Sequence, residues 1–184
     1  MRVIAGSAKH LPLKSVPGMK TRPTTDKIKE TLFNILQQRI YGCRFLDLFG
    51  GTGGIGIEAL SRGAELAVFV DSAKAAQKCI RENLAFTGFS EKALIFGQDV
   101  IPALHSIEKL GIFDIVFMDP PYGKELEKAV LTCLADSPII TEDSLLIVEA
   151  DLHTDFSYAE ELGYEISRIK KYKTNMHVFL KKKA

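Results

Sequence analysis

The stretch FDIVFMDPPYG, residues 113–123, runs an apolar segment into an acid, two prolines and a tyrosine, the groups best suited to chemistry in this chain of 184 residues. Neither Pro120 nor Pro121 carries a backbone N–H, and each fixes φ near about −65°. The chain must therefore leave its strand at Asp119 as a stiff, extended corner. The Asp119 carboxylate and the Pro120 carbonyl are two acceptors that can take both hydrogens of an aromatic amine and aim its nitrogen at an electrophile. Pro121 keeps that carbonyl in place, and Tyr122 can stack on the ring that bears the amine, as extruded bases are commonly held.

A second cluster, LDLFGGTGGIGIEALSRGA (46–64), combines glycines with an acid. Glycine lets the chain turn sharply and come close to a ligand, with a helix N-terminus behind it. A bound pyrophosphate would be repelled by Asp47, which disfavours a dinucleotide and favours a cationic or zwitterionic ligand. Asp71 ends the next apolar run about 20 residues on, where an acid takes ribose hydroxyls. Asp99, in FGQD, is placed to accept from an adenine amine. An ammonium, a ribose and an adenine without phosphate describe S-adenosylmethionine. The expected cofactor contacts are Asp47, Leu48, Phe49, Gly50, Gly51 and Gly53 in the turn, Asp71 and Ser72, and Gln98 and Asp99. A methyl sulfonium is already electrophilic, so no metal is expected. The four histidines lack metal spacing, and the three cysteines (Cys43, Cys79, Cys133) suggest neither a zinc site nor a disulfide framework.

These residues need a scaffold that brings them to one edge. RFLDLF (44–49), LAVFV (66–70), ALIF (93–96), FDIVFM (113–118) and SLLIVEA (144–150) are short, continuous apolar runs, the pattern of strands buried on both faces. Segments of helical composition lie between them, and three end at Gly63, Gly88 or Gly111. The expectation is an α/β, Rossmann-like, doubly wound and mostly parallel sheet whose ligands lie beyond the carboxyl ends of the strands. The tail segments YEISRIKKYK and NMHVFLKKK alternate and follow closely, which fits an antiparallel closing pair.

Charge is divided along the chain. Residues 1–44 carry a net +7, residues 165–184 a net +6, and the middle −12, within an overall +1. Basic ends on a near-neutral protein point to a polyanion partner. A basic hairpin arm (1–22) is expected to touch RNA phosphates through Arg2, Lys9, Lys14, Lys20 and Arg22 and to add little to the core of a single domain completed by residues 23–184. There is no membrane-length apolar run and no signal-peptide core, so a cytoplasmic protein is expected.

DLFGGTGGIGIEALSRGA followed by DPPY resembles the Asp/Asn-Pro-Pro-Tyr amino methyltransferases. RVIAGSAKH with TRPTTDKIKETLFNIL is similar to the RsmD family, which methylates a guanine N2 of small-subunit (16S) ribosomal RNA. The resemblance implies a class I methyltransferase fold with seven strands and a catalytic set of Asp119, Pro120, Pro121 and Tyr122. It also implies a monomer acting on ribosomal RNA or a partly assembled small subunit. Two departures stand out: Gly51 and Thr52 replace small residues such as Ala and Ser, and YKTN (172–175) replaces a Tyr-Gly. The same corner would serve an adenine-N6 or a protein-glutamine methyltransferase, and a catalytically silent RNA-binding module is the alternative outside enzymes.

Overall fold

Seven strands form one sheet in the order β3-β2-β1-β4-β5-β7-β6 in the computed structural model, which describes residues 1–16 and 25–183. The strands are β1 (Arg44–Leu48), β2 (Leu66–Val70), β3 (Ala93–Phe96), β4 (Ile115–Met118), β5 (Leu145–Asp151), β6 (Tyr164–Lys171) and β7 (Asn175–Lys182). The first five pair in parallel, and the order reverses direction from β1 to β4. The expected doubly wound sheet is therefore present. β7 inserts antiparallel between β5 and β6, which leaves β6 as the exposed edge.

Alternation along these strands sorts the core into two layers. Leu46, Leu48, Val116, Met118, Leu146 and Val148 face α4 (Val100–Ile107) and α5 (Leu126–Ala135). Phe45, Phe69, Ile115, Phe117, Ile147 and Phe179 face α1 (Asp26–Ile40), α2 (Gly54–Ser61) and α3 (Lys74–Thr87). The strands read as continuous apolar runs because both faces are covered. Thr25 caps α1 by accepting from the Ile28 amide at 3.3 Å, and Gly88 ends α3 in the left-handed conformation.

The N-terminal hairpin is closed by an antiparallel bridge between Arg2 and Pro12. It is more deeply embedded than its charge suggested, because Val3, Ala8 and Leu13 are buried in the α1–α2 layer. Beneath it, Glu58 is fully buried. It accepts from the Ile4 and Ala5 amides at 2.8 and 3.0 Å and from Arg62 Nε at 2.8 Å, with Lys29 Nζ 3.3 Å away. Burial pulls the Lys29 ammonium below its ordinary range against the opposing pull of Glu58. The expectation that the arm adds little core is thus corrected: it supplies apolar side chains and two of the donors that satisfy a buried carboxylate.

Candidate active site

The residues singled out at strand ends share one face. Parallel pairing places Asp47 beside Phe69 and Phe117, and one step further along β4 and β5 places Asp119 beside Glu149. Asp47, Asp71, Asp119 and Glu149 therefore lie on the α1–α3 face, at the carboxyl ends of their strands, beside the point where strand order reverses. This is where open α/β sheets bind ligands.

The glycine turn is built differently from a phosphate cradle. The Gly50 amide donates to the Val70 carbonyl (3.0 Å), the Gly51 amide to Asp71 Oδ2 (2.9 Å) and the Gly53 amide to the Gly50 carbonyl (2.7 Å). Their N–H groups are engaged within the protein, so the turn offers close approach rather than anion donors. Phe49, Gly51 and Gly53 all have positive φ, and Phe49, at 62°, is held in a region that costs a non-glycine residue energy. At Gly56 a Cβ would fall 2.3 Å from the Phe69 ring, so this glycine lets α2 pack onto β2. Leu48 points into the opposite layer and presents only its backbone to the turn.

Asp47 is buried, and its Oδ2 accepts from the Gly56 amide at 2.9 Å. Burial pushes its carboxyl up to about 8, against the lowering effect of that amide, and the nearby Asp71 raises it further. Asp71 also accepts from Ala73, at 2.9 Å, and so ties the turn to the end of β2. Ser72 and Asp99 are exposed, the Asp99 side chain makes no cap hydrogen bond to α4, and Gln98 donates to Ser106 Oγ at 2.9 Å.

At the corner, Pro120 is buried, Asp119 half-buried and Tyr122 49% exposed. The Tyr122 ring is thus open to a planar partner. Burial raises the Asp119 carboxyl well above its ordinary range, and the charges of Glu149 and then Asp47 push the same way. Three carboxyl groups crowded at one edge favour a ligand that brings positive charge, which would stabilise their ionised forms.

Glu149 and its partners were not anticipated from the sequence. Glu149 is buried and accepts from Asn175 Nδ2 (2.5 Å) and His177 Nε2 (3.1 Å). With Nε2 donating, Nδ1 of the fully buried His177 is left to accept from the Tyr172 hydroxyl, 3.2 Å away. His177 also meets the Phe117 and Tyr172 rings edge-on, with centroids 5.9 and 5.0 Å apart. The YKTN segment that departs from the resembled pattern is the one that supplies Tyr172 and Asn175. The available signal was a single acid inside an apolar strand, since such an acid needs partners to be buried.

The expected RNA contacts divide. Arg2 pairs with Asp26 at 2.9 Å and Lys14 with Glu82 at 2.8 Å, while Lys9 is exposed. Lys20 and Arg22 lie outside the described residues. Among the described residues no group of acids, histidines and cysteines could hold a metal, and no helix is long and apolar enough to cross a membrane.

This sheet order and strand-end site define the class I methyltransferase fold. The chain belongs to the family described as conserved hypothetical protein 95, whose model matches residues 1–181, and is RsmD-like. It is 43% identical over 152 residues to YlbH of Bacillus subtilis, covering 82% of this chain and 83% of that protein. It is 34% identical over 154 residues to ribosomal RNA small subunit methyltransferase D of Escherichia coli K12, covering 83% and 75% of the two chains. The solved structure of Escherichia coli yhhF superposes with a TM-score of 0.85 at 29% identity, covering 100% of this chain and 98% of that one.

Proposed function

We propose that this chain is an S-adenosylmethionine-dependent methyltransferase that methylates the exocyclic N2 amine of a guanine in small-subunit ribosomal RNA, as a cytoplasmic monomer. The observation that carries the reading is the pairing of a stiff Asp119–Pro120 corner with crowded carboxylates at the sheet's switch point. A glycine turn whose amides are engaged internally fits a cofactor without phosphate. The small-subunit ribosomal RNA methyltransferases among its relatives support the substrate class, and guanine N2 follows from the family resemblance.

When bound, the cofactor supplies a methyl group on a positively charged sulfur. Asp47, Asp71 and Asp99 would hold its ammonium, ribose and adenine ends, and the turn from Leu48 to Gly53 with Ser72 and Gln98 would complete the pocket. Asp119 and the Pro120 carbonyl accept the two amine hydrogens and turn the nitrogen lone pair toward the methyl carbon. Transfer would join the methyl carbon to the nitrogen with sulfur keeping the pair of the broken S–C bond, and the amine proton would leave through Asp119. Tyr122 stacks on the base. Aiming a weak nucleophile in this way lowers the barrier through orientation.

The test is transfer from S-adenosylmethionine to small-subunit ribosomal RNA, offered naked, as a protein-bound particle and as assembled subunits. Transfer to at least one RNA form supports the reading. Transfer only to protein, or tight binding of RNA with none to any acceptor, contradicts it.

A further inference from the structure

Beside the proposed catalytic corner, one row of side chains crosses four strands. Asp119 stands next to Glu149, Glu149 pairs with His177 across β5 and β7, and His177 pairs with Lys170 across β7 and β6. Paired residues point to the same side, so Lys170 and Arg168, opposite Phe179, project toward α1. There they border an open groove between α1 and the edge strand, lined on the helix side by Thr31, Asn34, Gln37 and Gln38.

We infer that this groove carries the backbone of the RNA next to the target base; the inference rests on the RNA reading above. Its lining holds two cations and no acid, with amide and hydroxyl groups able to donate to phosphate or sugar oxygens. Arg168 and Lys170 are exposed and make no ion pair among the described residues, whereas Arg2 and Lys14 of the arm are each paired with an acid. A cation already paired releases less free energy on meeting a phosphate, because its acid must be left behind. The groove is also close to the chemistry: three strand spacings put Lys170 about 14 Å from Asp119. Tyr172, two residues beyond Lys170 and half-buried with its ring edge-on to His177, offers a stacking surface at the end of the groove strand. The occupant that fits is a polyanionic strand whose neighbouring base reaches the corner.

The experiment compares wild type with Arg168→Ala/Lys170→Ala and with Lys170→Glu. Binding to naked small-subunit ribosomal RNA is measured by anisotropy across a salt series, separately from methyl transfer. Cofactor affinity and the thermal midpoint check that the exposed-site variants are intact. The double variant is expected to weaken RNA binding about tenfold and to flatten the slope of log affinity against log salt by about 1.4 to 1.8, for two phosphates. KM for RNA should rise with kcat nearly unchanged, and Lys170→Glu should weaken binding further. An RNA affinity and salt slope equal to wild type would overturn the proposal, as would a loss seen only with a protein-bound particle, which would make the groove a protein contact. If the variants lose RNA binding but wild type transfers no methyl to RNA, the groove stands and the methylation reading fails.

Discussion

Glu149 and His177 face each other across the β5–β7 ladder, with the imidazole Nε2 3.1 Å from the carboxylate Oε2. One strand over, Asp119 stands at the same level as Glu149. The pair holds a negative charge beside the proposed acceptor of the amine hydrogens, and it fixes that charge from behind. In the proposed mechanism Glu149 is a positioning residue whose charge acts through Asp119.

The pH profile should report this coupling. Asp119 must be ionised to accept from an amine, so the rate falls as pH drops through its pKa. Burial raises that pKa and Glu149 raises it further, so Glu149→Gln should move the acid limb of kcat/KM to lower pH. An acid limb in the same place would show that the two carboxylates are uncoupled.

Replacing Asp119 by Ala should separate binding from chemistry. In the proposed mechanism its carboxylate orients the acceptor amine and does little for the cofactor, so turnover should drop by about 10² or more while calorimetric cofactor affinity changes little. Methylation close to wild type would remove Asp119 from the mechanism.

Asp47 should take part in a proton balance. Its carboxyl moves from 3.8 to about 8 on burial, so near neutral pH it is protonated in the folded protein and ionised in the unfolded chain. The folded state then binds more protons across that window, and this group's contribution makes stability fall as pH rises through it. A cofactor ammonium nearby would favour the ionised form, so binding near pH 7 should release a proton. Titrations in buffers of different ionisation enthalpy should give different apparent heats, and identical heats would place the ammonium elsewhere.

The buried carboxylate beneath the arm should matter for stability. Glu58→Ala would strand Lys29 without its buried partner and leave the Ile4 and Ala5 amides without an acceptor, a change worth about 3–5 kcal/mol for a broken buried pair. Denaturant unfolding should show that loss with one cooperative transition. A loss below about 1 kcal/mol would mean that water satisfies these groups, as at exposed pairs.

The sheet was legible because strands covered on both faces carry uninterrupted apolar runs, and the corner because two prolines allow few conformations. The position of β7 between β5 and β6 was not legible, since alternation shows that two strands pair but not which of them meets β5. Charge gave no sign of the arm's core contribution, since Arg2, Lys9 and Lys14 are outward while Val3, Ala8 and Leu13 fill the core between them. The most informative signal passed over was the same in two places. Glu58 in GIGIEALS and Glu149 in LLIVEAD are acids set within apolar runs, and each proves to be the hub of a buried polar network. A charge is retained in such a setting when its partners come from distant segments, and those partners cannot be read from the local sequence.

The most direct measurement of the central claim is to incubate the protein with methyl-tritiated S-adenosylmethionine and small-subunit ribosomal RNA, digest the RNA, and identify the labelled nucleoside. Wild type should place label in N2-methylguanosine, and Asp119→Ala should lower the rate by about 10² or more. Label in N6-methyladenosine or in protein, or an undiminished rate from the variant, would contradict the claim.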